Sequence, residues 1–203
     1  MNTKHYKKED INEIASCIIK GEVIAFPTDT VFGLGVIYEN EDALEALKLS
    51  KGRPENKPIP TMVCSLEQIE KIAHVGEMAK KLIQAFMPGA FTIILKKREE
   101  LPDYLTNGFD TVGIRMPEDD FVLELISKCG KPMLVTSANL SGEEPGQTDI
   151  EVLKQLDGRI HGIVEGCATG GIASTIVDMS GEEVTIVREG PIDKEMMDNV
   201  LLS

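Results

Sequence analysis

Val23-Ile24-Ala25-Phe26-Pro27-Thr28-Asp29-Thr30-Val31-Phe32-Gly33-Leu34-Gly35 is the stretch on which the fold class turns. Its apolar start, with the β-branched pair Val23 and Ile24, reads as a strand buried on both faces. Pro27 lacks an N–H and ends that strand. The small polar residues and glycines that follow read as a strand-end loop. It offers the hydroxyls of Thr28 and Thr30, the Asp29 carboxylate, and close backbone approach at Gly33 and Gly35. An ordinary turn closed by an Asx hydrogen bond fits the same pattern.

On either side the hydrophobic period switches to that of a helix. Upstream, Ile11, Ile14, Ala15, Ile18 and Ile19 recur at helical spacing, and Gly21 is placed to end the segment. Downstream, Asn40 is a good N-cap for a helix carrying Ala43, Leu44 and Leu47. Ser65 and Gln68 resemble a capping box ahead of Ile69 and Ile72. Ala79, Leu82, Ile83 and Phe86 mark a further helix stopped by Pro88-Gly89. Strands are expected at 91–95, 112–116, 133–136, 163–165, 174–177 and 184–187, with a helix at 121–128. The interleaving predicts an α/β (α+β mixed) fold, with helices packed on one mixed sheet. With no repeat or long linker, residues 1–203 are expected to form one domain.

Composition narrows the class of partner. The chain has 34 acidic and 21 basic residues in 203, a formal charge of −13, with 42% hydrophobic residues and no Trp. So acidic a surface repels a phosphate backbone, which disfavours non-specific nucleic-acid binding and leaves room for a local cationic pocket. No run approaches the roughly 18 apolar residues of a membrane span, and the N-terminus has no leader-like segment, so a cytoplasmic location is expected. Cys17, Cys64, Cys129 and Cys167 are widely spaced and are expected to be reduced, partly buried thiols. They and the scattered His5, His74 and His161 offer no metal-ligand spacing.

Four further segments carry chemistry. Ser50-Lys51-Gly52-Arg53-Pro54-Glu55-Asn56-Lys57-Pro58 gathers cations at a helix end. On a non-helical stretch Lys51 and Arg53 could project together onto phosphates, and compensation of a helix C-terminus is the alternative. Thr111-Val112-Gly113-Ile114-Arg115-Met116-Pro117 puts a cation in an apolar strand. Alternation sets Thr111, Gly113 and Arg115 on one face, like the wall of a polar pocket where Arg115 could hold a carboxylate. Met133-Leu134-Val135-Thr136-Ser137-Ala138-Asn139-Leu140-Ser141-Gly142 is another buried strand ending in hydroxyls, an amide and glycine. Ser174-Thr175-Ile176-Val177-Asp178 and Arg188-Glu189-Gly190 add a hydroxyl cluster and a cation. Such loops suggest a ligand at the strand ends. No Ser–His motif and no GxxxxGK[ST] accompanies them.

The series PTDTVFGLG (27–35), KGRPENKP (51–58), TVGIRMP (111–117), SANLSG (137–142), STIVD (174–178) and REG (188–190) resembles the YrdC family of threonylcarbamoyl-AMP synthases over about residues 14–191. The resemblance implies a twisted mixed sheet around a large cavity, and the single-domain form without an additional C-terminal domain. It implies condensation of ATP, L-threonine and bicarbonate, Mg²⁺ arriving with ATP, and a product handed to a separate tRNA threonylcarbamoyltransferase complex. By motif, Lys51, Arg53 and Lys57 meet the ATP phosphates, and Lys51 and Arg53 are the catalytic pair. Thr111, Ser137, Asn139 and Arg188 lie on the nucleotide side. Thr30, Arg115 and Ser174 surround threonine, with Val135 lining the pocket. Phe32 stands where Tyr is common, and Met62 where many relatives place a His near the amino acid. A related carbamoyl-adenylate enzyme and an RNA-binding module are the alternatives.

Overall fold

The structure, a computed structural model, describes residues 2–52, 58–170, 172–181 and 183–202. In chain order the elements are β1 (Lys4–Tyr6), α1 (Ile11–Ile19), β2 (Ile24–Phe26), β3 (Gly33–Ile37), α2 (Glu41–Lys51), β4 (Thr61–Met62), α3 (Leu66–Ile72), α4 (Glu77–Phe86) and β5 (Phe91–Lys96). They continue with β6 (Thr111–Arg115), α5 (Asp120–Cys129), β7 (Met133–Ser137), α6 (Asp149–Leu156), β8 (Gly162–Val164), β9 (Thr175–Asp178), β10 (Thr185–Arg188) and α7 (Lys194–Leu202). The strands form one 10-stranded sheet in the order β1-β8-β2-β3-β7-β4-β6-β5-β9-β10. It is mixed, as expected: β2–β8, β4–β6 and β5–β9 run parallel, while β2–β3, β3–β7 and β5–β6 run antiparallel.

The caps follow the sequence. Asn40 accepts from Ala43 N at 3.0 Å, and Gly52 in the left-handed region closes α2. Ser65 accepts from Gln68 N, but the Gln68 side chain turns to Cys64 N, so the expected capping box is only half formed. Ile14, Ala15 and Ile18 of α1 are buried, while Ile19 points outward at 51% exposure. At 100° per residue it has rotated off the inward stripe.

The largest difference from the expected layout is β3. Its first residues, Gly33-Leu34-Gly35, read as loop because two glycines offer no side chain to a period. The pairing of Gly33, Leu34 and Gly35 with Phe26, Ala25 and Ile24 on one side, and with Ser137, Thr136 and Val135 on the other, makes them central strand. A Cβ on Gly35 would stand 2.8 Å from Met133 Cε and 2.9 Å from Phe26 Cε1, so the missing side chains admit Phe26 to the core. Elements β1, β4, α6 and α7 are short or buried on one side only and carry no period strong enough to mark them in the sequence.

The two faces of the sheet are covered unequally. Val23, Ala25, Leu34, Val36, Leu134, Ile114, Val112, Ile93 and Leu95 form one continuous core with residues of α2, α3, α4, α6 and α7. The opposite face packs Ile24, Phe26, Ile37 and Met133 against α1 and α5 only. The remainder of that second face lies beyond these two helices.

Candidate functional site

Paired residues on neighbouring strands present their side chains to the same face. The register therefore builds a row across the part of this face that no described helix covers: Met62 opposite Arg115, Arg115 opposite Thr92, Thr92 opposite Ile176, and Ile176 opposite Arg188. Val135 and Ser137 continue it on β7. This row floors a cavity of about 350 Å³, rimmed by Thr28, Thr30–Gly33, Pro58, Pro60, Pro145 and Ala173-Ser174. The volume is at the lower end of ordinary ligand sites. The strand-end loops rim the cavity as expected, at Thr28, Thr30, Val31, Phe32 and Ser174, but it does not sit along one C-terminal edge. Antiparallel neighbours send their C-termini to opposite edges, so no common C-terminal edge exists, and the cavity opens over a face.

A second concavity of about 350 Å³ lies between α4 and the β9–β10 hairpin, lined by His74, Glu77, Met78, Leu95, Met179 and Val184 among others. No Lys or Arg lines it among the described residues, so it lacks the polar convergence of the first.

Arg115 is the anchor of the first cavity. It is 7% exposed, and every group it meets is on the wall. Nη2 donates to both oxygens of Asp29 at 2.8 Å, Nη1 donates to Thr30 Oγ1 at 2.8 Å, and Nε donates to Gly89 O at 3.3 Å. Asp29 is itself fixed, because Glu118 N donates to its Oδ2 at 3.0 Å. Burial pulls the Arg115 guanidinium below its usual range and Asp29 pulls it back up, while the positive charge of Arg188 adds to the lowering. The guanidinium stays charged and strongly committed to its wall.

The hydroxyl chain beneath it has a direction. Thr28 donates its one hydrogen to Val31 O at 2.7 Å, so in the 3.2 Å contact between Thr28 Oγ1 and Thr30 Oγ1 the hydrogen comes from Thr30. Thr30 also accepts from Arg115, and the lone pair left to it makes it an acceptor for a ligand N–H or O–H. Across the cavity, Ser174 Oγ and Thr92 Oγ1 lie 2.8 Å apart. Arg188 donates Nε and Nη2 to Ser174 O at 3.0 and 2.7 Å, and Nη2 to Ser174 Oγ at 3.1 Å. Gly170 packs on the Asp29–Thr30 backbone so closely that a Cβ there would fall 2.0 Å from Asp29 O.

Lys51 departs from its expected setting. It is the last residue of α2, not part of a projecting loop, and it is 2% exposed. Its ammonium donates to Ser137 O, to Asn139 O at 2.7 Å and to Asn139 Oδ1 at 3.4 Å, while Ser141 N donates to Lys51 O at 2.9 Å. Asn139 Nδ2 in turn donates to Leu140 O and Glu143 O, both at 2.8 Å. A buried cation thus gathers the carbonyls of the Ser137-Ala138-Asn139 turn.

Thr30, Met62, Arg115, Val135, Ser137, Ser174 and Arg188 all line the cavity, and Asn139 stands behind Ser137. Thr111 does not join them: it begins β6 opposite Lys96, at the other end of the strand from Arg115. Arg53 and Lys57 lie outside the described residues. The loop offers Thr28 and Asp29 to a ligand in the sequence, but in the structure Thr28 donates to Val31 O and Asp29 is taken by Arg115, while Thr92 belongs to none of the quoted segments. Only register brings Thr92 beside Arg115.

Burial raises the thiols of Cys17 and Cys64 and pushes Cys129 up to about 12, none of them in the cavity, while Cys167 is exposed, not partly buried as expected. His161 Nδ1 is occupied as an acceptor from Val23 N. Among the described residues no group of three or more His, Cys, Asp or Glu could hold a metal ion, and no helix is long and apolar enough to cross a membrane.

Comparison with known proteins bears on this site. The Sua5/YciO/YrdC family model, described as "Telomere recombination", matches residues 16–190. Threonylcarbamoyl-AMP synthase of Bacillus subtilis (strain 168) is 40% identical over 195 residues, covering 94% of this chain and 56% of that protein. The P. abyssi Sua5 structure complexed with L-threonine superposes with a TM-score of 0.90 at 33% identity, covering 98% of this chain and 60% of that one. E. coli YciO superposes at 0.84 with 28% identity, covering 97% and 98%. The chain spans little more than half the length of the first two.

Proposed function

The chain belongs to the Sua5/YciO/YrdC family, and from that premise we propose that it is a threonylcarbamoyl-AMP synthase. It joins ATP, L-threonine and bicarbonate into threonylcarbamoyl-AMP, pyrophosphate and water. The observation that carries this reading is the row of Met62, Arg115, Thr92 and Arg188 beside Thr30 and Ser174. One cavity there combines a guanidinium for a carboxylate, hydroxyls for an amino acid's polar groups, an apolar wall and a second cation. The related Sua5 structure with bound L-threonine supports an amino acid as occupant.

In the reaction, the amine of threonine adds to bicarbonate, giving a carbamate and releasing water. A carbamate oxygen then attacks the α-phosphorus of ATP, and the bond to pyrophosphate breaks. Arg115 meets the α-carboxylate, with Ser174 and Thr92 within reach of it. Thr30 accepts from the amine or hydroxyl, and Val135 and Met62 face the methyl. Arg188, Ser137 and Asn139 attend the nucleotide, with Arg53 and Lys57 as phosphate contacts by their motif. Lys51 shapes the Ser137–Asn139 turn from beneath, and Thr111 takes no part. Mg²⁺ bound with ATP is held by phosphate oxygens and water and offsets the triphosphate charge. The described residues of the cavity contribute orientation and preorganised charge. The product is then passed, in the cytoplasm, to a tRNA-modifying transferase.

Selectivity tests the reading. A missing methyl costs about 1–3 kcal/mol, whereas a site that pairs with a hydroxyl rejects its absence more strongly. Pyrophosphate release with each amino acid at equal concentration is expected to be fast with threonine, slow but detectable with serine and near background with valine. Valine turnover equal to that of serine would remove hydroxyl recognition from the site.

A further inference from the structure

We propose that Asp29 is a positioning residue that orients and neutralises Arg115, so that the cavity accepts a carboxylate only within the frame of an amino acid. The inference rests on the amino-acid reading of the cavity and extends it to a residue outside the substrate's direct contacts.

The geometry is that of a built device. Arg115 and Asp29 side chains are 9% and 10% exposed, so their pairing is shielded from solvent. Asp29 takes Nη2 with both carboxylate oxygens while Thr30 takes Nη1. Each terminal nitrogen thereby spends a hydrogen on the loop side, which fixes the plane and direction of the guanidinium and leaves one hydrogen on each nitrogen for a ligand. Asp29 cannot follow the guanidinium away, because Glu118 N donates to its Oδ2 and the Gly170 backbone packs on its carbonyl. Electrically, the pair leaves Arg115 little net charge to offer. A bare carboxylate gains little from it, and an amino acid that also meets Thr30 and Ser174 gains from all of them together. Discrimination then arises from a deliberately weakened cation. Without the Asp29 charge, Arg115 keeps only its bonds to Thr30 and Gly89 and becomes an unneutralised cation that binds small carboxylates outside the amino-acid frame.

The test uses the full chain with L-threonine, ATP and acetate. Wild-type protein is expected to bind threonine with little competition from acetate. Asp29→Asn is expected to lower threonine-over-acetate discrimination at least tenfold and to lower kcat at least tenfold, with the Kd for ATP within twofold. Wild-type discrimination and kcat in Asp29→Asn overturn the proposal. A loss of kcat with discrimination unchanged also overturns it, because that is the signature of structural damage alone. If Asp29→Asn does not fold, Asp29→Glu, which keeps the charge and shifts the carboxylate by one methylene, is read by the same two criteria. Absence of threonine binding by the wild-type protein fails separately, by removing the amino-acid reading itself.

Discussion

Arg115→Met is expected to cost about 3–5 kcal/mol of folding stability and to reduce threonine-dependent turnover to background. The first part follows from what remains behind. Asp29 keeps only the bond from Glu118 N, and Thr30 loses its donor. Removing one partner of a buried ion pair leaves an uncompensated charge, and that residue carries the cost, whatever the net worth of the intact pair. The second part follows from the cavity floor, where no other guanidinium occupies the centre of the row. Urea unfolding reads the first effect and pyrophosphate release the second. A variant within about 1 kcal/mol of wild type, still saturated by threonine as before, would make the Arg115–Asp29 pair incidental to both fold and site.

Lys51→Met separates two roles for a residue that the motif alone assigns to phosphate. The methionine keeps the apolar stem and removes the ammonium from Ser137 O, Asn139 O and Asn139 Oδ1. Ser137 O keeps the bond from Asn139 N, whereas Asn139 O and Oδ1 lose the ammonium, and a buried acceptor left without a donor costs about 1–3 kcal/mol. A destabilisation on the order of 3 kcal/mol is therefore expected, together with weakened ATP binding as the Ser137–Asn139 turn loosens. Calorimetric unfolding and ATP titration check both. If ATP affinity falls while stability holds, Lys51 acts as a direct phosphate ligand and its place beneath the turn is secondary.

What the sequence could convey divides along range. The buried β2, the Asn40 cap and the α2 stripe of Ala43, Leu44 and Leu47 are local, and local period and capping chemistry are enough to read them. Gly33-Leu34-Gly35 defeated the same logic, because its strand character lives in the neighbours β2 and β7 and in the space it leaves for Phe26. The site divides in the same way. Arg115 stood out as a cation within an apolar strand, and alternation put it on the correct face. Its partner Asp29 lies 86 positions away, and the carbonyls that hold Lys51 lie 86 and 88 positions away. Motif resemblance gathered Thr30, Ser137, Ser174 and Arg188. It could not reveal that Lys51 is buried, that Thr111 lies off the cavity, or that Thr92 meets Ser174, since each of these is a consequence of register.

The most direct measurement of the central claim follows the carbon of bicarbonate. The protein is incubated with ATP, Mg²⁺, L-threonine and ¹³C-bicarbonate, and the products are separated and weighed by mass spectrometry. The account predicts threonylcarbamoyl-AMP carrying one ¹³C, formed with an equal amount of pyrophosphate and absent when threonine is withheld. Pyrophosphate released equally well without threonine, or an adenylate product without the label, would contradict it.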